Sequence, residues 1–257
     1  MIKTKRLLSI VVLTHNEQGN IEECIKSLGG LTVEHEILVV DDNSTDETVA
    51  IATKLGVRVI NHALDNNFSY QRNWALSKAK GEWVFFLDAD ERCSKLLIAE
   101  INQFVHNPEN NTGVYFKRDD YFGGKLLEHG EISCIRLIRL AKKDAGVWQG
   151  RVDETWEVKG KNITFNYPLL HYSHPNITQF LECINTRSTL NAKQLFDKGI
   201  KVKWFDWGKP FGKFILNYFF RLGFRDGLQG FVFAVLMSFH SFLVRGKLYL
   251  LWKRAER

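Results

Sequence analysis

Two aspartates one residue apart are the residues of this sequence best suited to chemistry. Asp88 and Asp90 follow the short, almost wholly apolar run Glu82–Leu87, and Glu91 adds a third carboxylate. The apolar run predicts a strand buried on both faces, as in a parallel sheet. On an extended backbone Asp88 and Asp90 point to the same side. Two oxygen ligands there suit Mg²⁺ or Mn²⁺ together with a phosphate, and the alternative is a solvated acidic turn after an edge strand.

The elements that must position these carboxylates follow from the hydrophobic pattern. Apolar runs alternate with segments of helical periodicity, and the predicted strands are Leu7–Leu13, Glu36–Val40, Val57–Asn61 and the run that ends at Asp88. This alternation indicates an α/β fold with a doubly wound parallel sheet, whose crevice lies at the carboxyl ends of the strands. Polar groups follow the first two strands at that position, namely His15-Asn16-Glu17 and Asp41-Asp42.

The sequence lacks the glycine-rich loops that cradle phosphates. No Gly-x-Gly-x-x-Gly follows the first strand, where Thr14-His15-Asn16-Glu17 stands instead, and a Walker A loop is also absent. A dinucleotide site of the Rossmann type is therefore poorly supported. We expect any phosphate groups to be held through a metal ion instead.

Length and composition set broad limits on the class of protein. The chain has 257 residues, 45% of them hydrophobic, which fits one large α/β domain with an appendage. The four cysteines lie far apart and favour neither a zinc site nor a disulfide framework. The start, Met1–Arg6, lacks the features of a signal peptide. These observations predict a protein of the reducing cytoplasm.

Positive charge and aromatic side chains are concentrated near the C-terminus. Residues 201–257 hold 11 lysines and arginines against three acidic residues, and 15 of the 33 aromatic residues. Helices are predicted over Ile177–Lys198 and Phe211–Arg225, and residues 227–244 approach the length of an apolar span. The basic, aromatic flanks favour a hairpin that lies in or on an anionic membrane. The alternatives are a helical cap over the sheet or a dimer partner, and a nucleic-acid-binding tail, which the continuous phenylalanine-rich pattern disfavours.

Four motifs together resemble the family 2 inverting glycosyltransferases, which have the GT-A fold and use nucleotide-diphosphate sugars. The motifs are Ser9–Glu17, Ile37–Asp46, Gln71–Asn73 with Ala79–Glu82, and Leu87–Glu91. The resemblance covers residues 7–175. It implies a GT-A catalytic domain over residues 1–175, with a nucleotide-binding half to residue 110 and an acceptor-side half from residue 111. Residues 176–257 then form a helical, membrane-associating region.

The resemblance also implies a role for each motif. The residues implied to line the nucleotide pocket are Thr14, Asn16, Glu17, Asp41 and Asp42. Of these, Asp41 or Asp42 is expected to accept a hydrogen bond from the base, with uracil as the expected base. Arg72 is implied to approach the diphosphate, Asp90 to bind a Mg²⁺ or Mn²⁺ ion between the phosphates, and Asp88 to hold the ribose or a water on the metal. Without the other motifs, Arg72 would be interpreted as a surface cation.

Inverting transfer needs a carboxylate that takes the proton of the acceptor hydroxyl. The block Val147–Trp156 carries Asp153 and Glu154, the best-placed carboxylates outside the crevice motifs. The resembling subfamily has a Trp-x-Gly-x-Val-His-Glu pattern here, and Asp153 replaces its histidine. We therefore assign the base to Glu154, with Asp153 second; the alternative is a turn acid that faces water. Related GT-A enzymes imply that His171 approaches the metal or the diphosphate, whereas His174 is expected to be structural.

Finer motifs resemble the bacterial lipopolysaccharide core glycosyltransferases. They are Trp148–Glu154 and Arg221–Gly227 with Lys247-Leu248. The resemblance implies β-1,4-glucosyl transfer from UDP-glucose to an inner-core heptose of lipid A–core, at the cytoplasmic face of the bacterial inner membrane. The alternatives are a polyprenyl-phosphate sugar transferase, another cell-envelope polysaccharide glycosyltransferase, and a non-enzymatic nucleotide-sugar or membrane-binding module. The sequence does not predict the oligomeric state.

Overall fold

The computed structural model describes residues 7–174 and 176–256. The side chains of Cys134 and His174 are not described. The expectations for Met1–Arg6 and for the His174 side chain therefore lie outside the described residues.

The chain forms two compact units. The first ends at Arg118 and resumes over Arg136–His171, and the second comprises Asp119–Ile135 and the chain from Tyr172 onward. The resemblance implied a boundary after residue 175, and it did not indicate that Asp119–Ile135 groups with the C-terminal helices.

Strands and helices alternate through the first hundred residues, as the hydrophobic pattern predicts. They are β1 (Leu8–Thr14), α1 (Ile21–Lys26), β2 (His35–Asp41), α2 (Thr48–Lys54), β3 (Arg58–Asn61), α3 (Phe68–Lys78), β4 (Trp83–Asp88), β5 (Glu91–Cys93) and α4 (Lys95–His106). The strands are rich in Val, Ile and Phe, whose side chains pack well on a pleated sheet.

Strand β1 lies at the centre of the parallel part of the sheet. It pairs in parallel with β2 and with β4, and β3 extends the sheet beyond β2. The register places Thr14 opposite Asp41, and Leu13 opposite Asp88. The predicted doubly wound arrangement is therefore confirmed, and strands β1, β2 and β4 end at one edge of the sheet.

Strand β4 is buried on both faces. Trp83, Phe85 and Leu87 belong to one hydrophobic cluster, whereas Val84 and Phe86 belong to a second, and all five are fully buried. Since alternate side chains of a strand point to opposite faces, the two clusters lie on the two sides of the sheet. A run without polar alternation is what a strand covered on both faces requires.

Mostly antiparallel strands complete the β structure. They are β6 (Asn111–Phe122), β7 (Lys125–Leu127), β8 (Arg136–Lys142), β9 (Gly146–Gln149), β10 (Thr155–Val158), β11 (Lys161–Thr164) and β12 (Leu169–His174). Strand β8 pairs antiparallel with both β4 and β6, and β5 pairs antiparallel with the first residues of β12. Strands β9 and β10 form a separate hairpin. The loop of this hairpin contains Asp153 and Glu154.

Helices dominate the second unit. They are α5 (Ile177–Asp197), α6 (Lys209–Ile215) and α7 (Gly227–Ala255). The helix predicted over Ile177–Lys198 is confirmed; it ends before Gly199, whose φ of +71° stops a right-handed helix.

The continuous helix predicted over Phe211–Arg225 is wrong. Helix α6 ends at Ile215 and passes into a π-helical turn over Leu216–Phe220. Leu222 then has a φ of +60°, which no right-handed helix accommodates. Gly223 follows, and a Cβ there would lie 2.7 Å from the Asn217 carbonyl oxygen. This sharp reversal, which the apolar pattern cannot reveal, separates α6 from α7.

The segment Gly223–Ala255 is, within the described residues, the one helical stretch long and apolar enough to cross a membrane by length and composition. Its mean hydropathy is 1.7, and 28% of its apolar window is buried inside the fold. Phe233 and Leu236 pack with Phe180 and Ile184 of α5. Helix α7 is therefore only partly covered by its own unit.

Candidate active site

The carboxylates at the end of β2 are held by the loop that follows. Asp41 is 1% exposed and accepts hydrogen bonds from the Ser44 backbone N–H at 2.9 Å and from the Ser44 hydroxyl at 2.5 Å. Asp42 accepts a hydrogen bond from the Leu64 N–H at 2.8 Å through Oδ1. Its side chain is 21% exposed. Asp42 is therefore the more accessible of the two to a ligand.

The loop after β1 is tied to the loop after β2. Asn16 has a φ of +54°, and its Oδ1 accepts a hydrogen bond from the Thr45 N–H at 2.8 Å. The Glu17 N–H donates to the Thr48 hydroxyl at 2.8 Å. Because these contacts join segments about 30 residues apart, they give the crevice a defined polar rim.

Two polar groups at this rim lie in unfavourable surroundings. Thr14 Oγ1 is buried and has no hydrogen-bond partner among the described residues, which costs about 1–3 kcal/mol. Burial, and next the negative charge of Asp90, raise the pKa of Glu17 to about 7. An unpaired hydroxyl and a carboxyl that ionises poorly are features that a bound ligand relieves.

Asp88 lies at the centre of a buried ionic network. Its Oδ1 accepts from Arg72 Nη2 at 2.9 Å, and its Oδ2 accepts from Arg139 Nη2 at 2.5 Å. Arg139 also reaches Glu91 at 3.2 Å, and Arg72 Nε donates to Glu154 Oε1 at 2.7 Å. The network therefore links the end of β4 to the hairpin loop that carries Glu154.

Two arginines control the ionisation of Asp88. Burial opposes the charged form, but Arg139 and then Arg72 outweigh burial and hold the pKa of Asp88 well below its usual range. Asp88 is thus an anion at any physiological pH. Its negative charge is already compensated by guanidinium groups, which makes it a poorer metal ligand than its position in the sequence suggests.

Helix α3 positions both Arg72 and the hairpin. The Arg72 guanidinium carbon lies 4.6 Å from the centroid of the Trp148 ring, and Asn73 exchanges two hydrogen bonds with the Trp148 backbone, at 2.8 and 2.9 Å. Gln71 donates to the His62 carbonyl at 2.7 Å and so anchors the helix to the chain after β3. Each residue of the motif Gln71-Arg72-Asn73 therefore holds a different part of the site. Gln71 holds the chain after β3, Arg72 joins the ionic network, and Asn73 holds the hairpin at Trp148.

Asp90 and His171 form a second, separate pair. His171 Nε2 lies 3.3 Å from Asp90 Oδ2, and both side chains are largely buried. Burial opposes ionisation of Asp90, but the neighbouring His171 lowers its pKa below the usual value. Strand β4 ends at Asp88, and Ala89 and Asp90 form a turn. An extended backbone would point Asp88 and Asp90 to the same side. Because the strand ends at Asp88, the two aspartates contact different partners instead.

Of the three predicted metal ligands, only Asp90 and His171 contact each other. Within the described residues no group of three His, Cys, Asp or Glu side chains has the arrangement of a metal site. Asp90 and His171 nevertheless supply one oxygen and one nitrogen, whereas Asp88 is taken up by arginines. Mg²⁺-type ions are commonly held by one or two protein ligands together with substrate phosphates and water. The Asp90–His171 pair therefore fits an ion whose coordination a diphosphate completes.

The hairpin loop separates the two candidate bases. Glu154 points to Arg72, and its side chain is 13% exposed. Asp153 is exposed and has a φ of +53°. Glu154 joins the ionic network: its Oε1 accepts a hydrogen bond from Arg72 Nε, and within the described residues none is found to its Oε2.

Arg139 is the residue that the sequence pattern missed. It lies in β8 and is 4% exposed, whereas Arg136 on the same strand is exposed. The sequence offered one signal for burial of Arg139: strand alternation places it on the opposite face from Arg136. Sequence spacing alone could not show that this face meets Asp88.

We expect Arg139→Met to destabilise the protein by about 3–5 kcal/mol, because removing one partner of a buried ion pair leaves charges uncompensated. Asp88 would keep Arg72 but lose the second of its two guanidinium partners, and Glu91 would lose Arg139. Urea unfolding measures the effect, with Arg136→Met as a control on the exposed side of the same strand. Equal midpoints for wild type and Arg139→Met would show that the network contributes nothing to stability.

Comparison with known proteins places these features in context. The family model described as "Glycosyl transferase family 2" matches residues 9–166. An "Uncharacterized glycosyltransferase RT0209" of Rickettsia typhi is 30% identical over 254 residues, covering 94% of this chain and 86% of the relative. The "Lipopolysaccharide core biosynthesis glycosyltransferase LpsC" of Rhizobium meliloti is 26% identical over 258 residues, covering 94% of this chain and 92% of LpsC.

A solved structure supports the fold. Glucosyl-3-phosphoglycerate synthase from Mycobacterium tuberculosis, in complex with Mn²⁺, uridine-diphosphate and glucosyl-3-phosphoglycerate, superposes with a TM-score of 0.53. The two chains are 18% identical, and the match covers 78% of this chain and 83% of the synthase. At this identity the likeness concerns the fold, and it agrees with the mostly parallel sheet described above.

Proposed function

This chain belongs to glycosyl transferase family 2, and from that premise we propose that it is an inverting, metal-dependent enzyme that transfers glucose from UDP-glucose to a lipid-linked saccharide. The acceptor we propose is the inner core of lipopolysaccharide. The observation that carries the proposal is the continuous contact from Glu154 through Arg72 to Asp88. It connects a candidate base on the hairpin with the carboxyl edge of the sheet.

The proposed reaction follows from this arrangement. Glu154 takes the proton of the acceptor hydroxyl, and the oxygen attacks the anomeric carbon of the donor sugar. The bond between that carbon and the diphosphate oxygen breaks, and UDP leaves with the electron pair. Attack opposite to the leaving group inverts the configuration. Arg72 holds Glu154 by a 2.7 Å hydrogen bond to Oε1, so that Oε2 is the atom that receives the proton.

The leaving group needs positive charge around it. Asp90 and His171 would hold the divalent cation, which neutralises charge on the departing diphosphate. Arg72 Nη1 is buried and has no partner among the described residues. This N–H group is a donor that a diphosphate oxygen can satisfy. Thr14 Oγ1 is a second such atom, at the end of β1.

The relatives support the choice of donor, ion and acceptor. The mycobacterial synthase was solved with Mn²⁺ and uridine-diphosphate, and LpsC is named for lipopolysaccharide core biosynthesis. A lipid-anchored acceptor requires that the enzyme work at a membrane. We propose the cytoplasmic face of the bacterial inner membrane, where a basic, aromatic C-terminal region would meet anionic lipid.

The donor and acceptor can be tested together. With Mn²⁺ present, UDP-glucose should raise the melting temperature more than GDP- or ADP-sugars do, because a ligand that binds the native state stabilises it. Radiolabelled glucose should then pass from UDP-glucose to lipopolysaccharide truncated at the inner-core heptose. Labelling of a polyprenyl phosphate instead would favour the alternative acceptor. Absence of sugar transfer from any nucleotide sugar would contradict the proposed function.

A further inference from the structure

Helix α7 has two apolar faces, of which its own unit covers only one. The covered face includes Phe233, Ala234, Leu236, Val244 and Leu248, each less than 10% exposed. The other face carries large apolar side chains that are 40–73% exposed, namely Leu228, Phe231, Val235, Phe239, Phe242 and Tyr249. Their spacing of three, four or seven residues places them on one side of the helix. A helix at the surface of a soluble protein normally has polar residues there.

Aromatic rings of the preceding segment continue this face. Trp207 lies 6.0 Å from Phe242 and 6.2 Å from Tyr249, and Phe231 lies 5.5 Å from Tyr218, measured between ring centroids. Farther out are some of the most exposed apolar side chains of the protein, Trp204 at 86%, Phe220 at 77% and Phe211 at 71%. We call these exposed apolar side chains of residues 204–249 the aromatic face. Exposed apolar side chains grouped in this way mark an interaction site.

The charges around the aromatic face favour an anionic partner. No charged residue occurs in residues 227–244, and Arg225 and Arg245 lie near its two ends. Asp226, which directly precedes the stretch, is buried and pairs with His129 at 2.9 Å. Lys203 lies 5.8 Å from the Phe205 ring centroid, and the exposed Lys209 pairs with Asp206 at 2.6 Å. Aromatic side chains interleaved with lysine and arginine suit the headgroup region of an anionic bilayer, where the rings enter the lipid and the cations meet phosphate.

The neighbour of α7 decides how that helix can meet a bilayer. Helix α5 runs alongside α7 in the same direction, since Phe180 lies 5.6 Å from Phe233 and Phe196 lies 4.5 Å from Trp252. Lys247 Nζ joins the two helices midway, donating to Ser188 at 2.8 Å. An α7 that crossed the bilayer would therefore carry α5 into the hydrocarbon with it.

Helix α5 exposes charged side chains, which are unfavourable in the hydrocarbon of a bilayer. Its outer side exposes Glu182, Arg187 and Lys193. Each charged side chain placed at the centre of a bilayer lowers partitioning by roughly 100-fold. The same α7 therefore cannot both keep its packing with α5 and span a membrane, although its length and hydropathy would allow a span.

We propose that α7 docks in the plane of an anionic phospholipid membrane through the aromatic face and does not cross it. The aromatic face enters the headgroup and upper acyl region, and α5 stays on the water side. This assignment of a face and an orientation rests on the membrane location given under the proposed function. Its test measures lipid binding and depth rather than sugar transfer, so that either idea can fail alone.

Vesicle sedimentation of the purified full-length chain tests the docking face. Wild type should bind vesicles of phosphatidylglycerol and phosphatidylethanolamine and bind pure phosphatidylcholine weakly. The double variant Phe211→Ser/Phe220→Ser should lose roughly 100-fold in binding, about tenfold for each apolar side chain withdrawn from lipid. Both side chains are more than 70% exposed, so the fold should survive. The matched control is Leu96→Ser, an apolar residue 57% exposed on α4 of the first unit, which should bind like wild type.

Depth measurements test the orientation. Single cysteines at Leu228, Val235 and Phe242 are labelled with a fluorophore in a parent that carries Cys134→Ser and Cys183→Ser, since Cys24 and Cys93 are buried. Quenchers attached at different depths of the lipid should report the same shallow depth for all three labels. A deep position for the Val235 label between two shallow ones would show a spanning helix and overturn the proposal.

Three further outcomes would also overturn it. If the double variant bound vesicles as well as wild type, the aromatic face would not be the docking surface. If wild type ignored vesicles but formed a dimer that the double variant lost in analytical ultracentrifugation, the aromatic face would bind a second copy. Salt-sensitive duplex DNA binding without vesicle binding would assign the region to nucleic acid.

Discussion

Replacement of Glu154 by Gln is expected to lower the rate of sugar transfer by roughly 1000-fold, within the range that a general base contributes. The amide keeps an oxygen that can accept the Arg72 Nε hydrogen bond, which is 2.7 Å long in the wild type. It cannot take a proton from the acceptor hydroxyl. The fold and the affinity for UDP should therefore be little changed, and calorimetry with UDP and Mn²⁺ separates binding from turnover.

The control for this substitution lies nearby in the chain. Glu157→Gln changes an exposed carboxylate of β10 that accepts a hydrogen bond from Gln149 at 2.7 Å, and its activity should match wild type. Asp153→Asn discriminates the two candidate bases. An active Glu154→Gln enzyme together with an inactive Asp153→Asn enzyme would move the base to Asp153.

Replacement of Asp90 by Ala is expected to remove Mn²⁺ binding in the presence of UDP and to slow transfer by about 1000-fold, since a cation at the leaving group supplies several kcal/mol of charge stabilisation. Asp90 is the carboxylate paired with His171 at 3.3 Å, whereas Asp88 is held by two arginines. Paramagnetic resonance of Mn²⁺ gives a readout that does not depend on turnover.

The Asp90 experiment has a matched surface control. Asp144→Ala removes an exposed carboxylate from the turn between β8 and β9, and it should leave both ion binding and transfer unchanged. Asp88→Ala is informative in a different way, because it should destabilise the Arg72–Arg139 network. Unaltered Mn²⁺-dependent turnover in the Asp90 variant would refute the assignment of Asp90 as a ligand.

The different surroundings of the two aspartates explain why these experiments distinguish them. Asp88 is the last residue of β4 and belongs to a cluster of three carboxylates, with Glu91 and Glu154, and two arginines. Asp90 lies in the following turn, against His171 of β12. A motif of two aspartates therefore serves two purposes here. One organises Arg72 and through it the candidate base, and the other is available to an ion.

The alternation of strands and helices along the chain, and the sheet edge at which the polar motifs gather, were determined by the sequence alone. Apolar runs followed by helical periodicity leave a parallel sheet as the main solution, and parallel strands end at a common edge. Thr14, Asp41 and Asp88 stand there as predicted. The helix over Ile177–Lys198 was also predictable, because Gly199 with positive φ ends it.

Only the tertiary structure decided which charges pair and which apolar surface stays open. Arg139 meets Asp88 across a strand pairing between β8 and β4 that local pattern does not specify, because pairing of distant strands depends on the whole chain. The break at Leu222 and the packing of α5 on α7 likewise depend on close contacts of backbone and side chains. The composition of the run Glu82–Glu91 thus predicted a site. Only the fold shows that Asp88 belongs to an ionic network, whereas Asp90 pairs with His171 and is the candidate ion ligand.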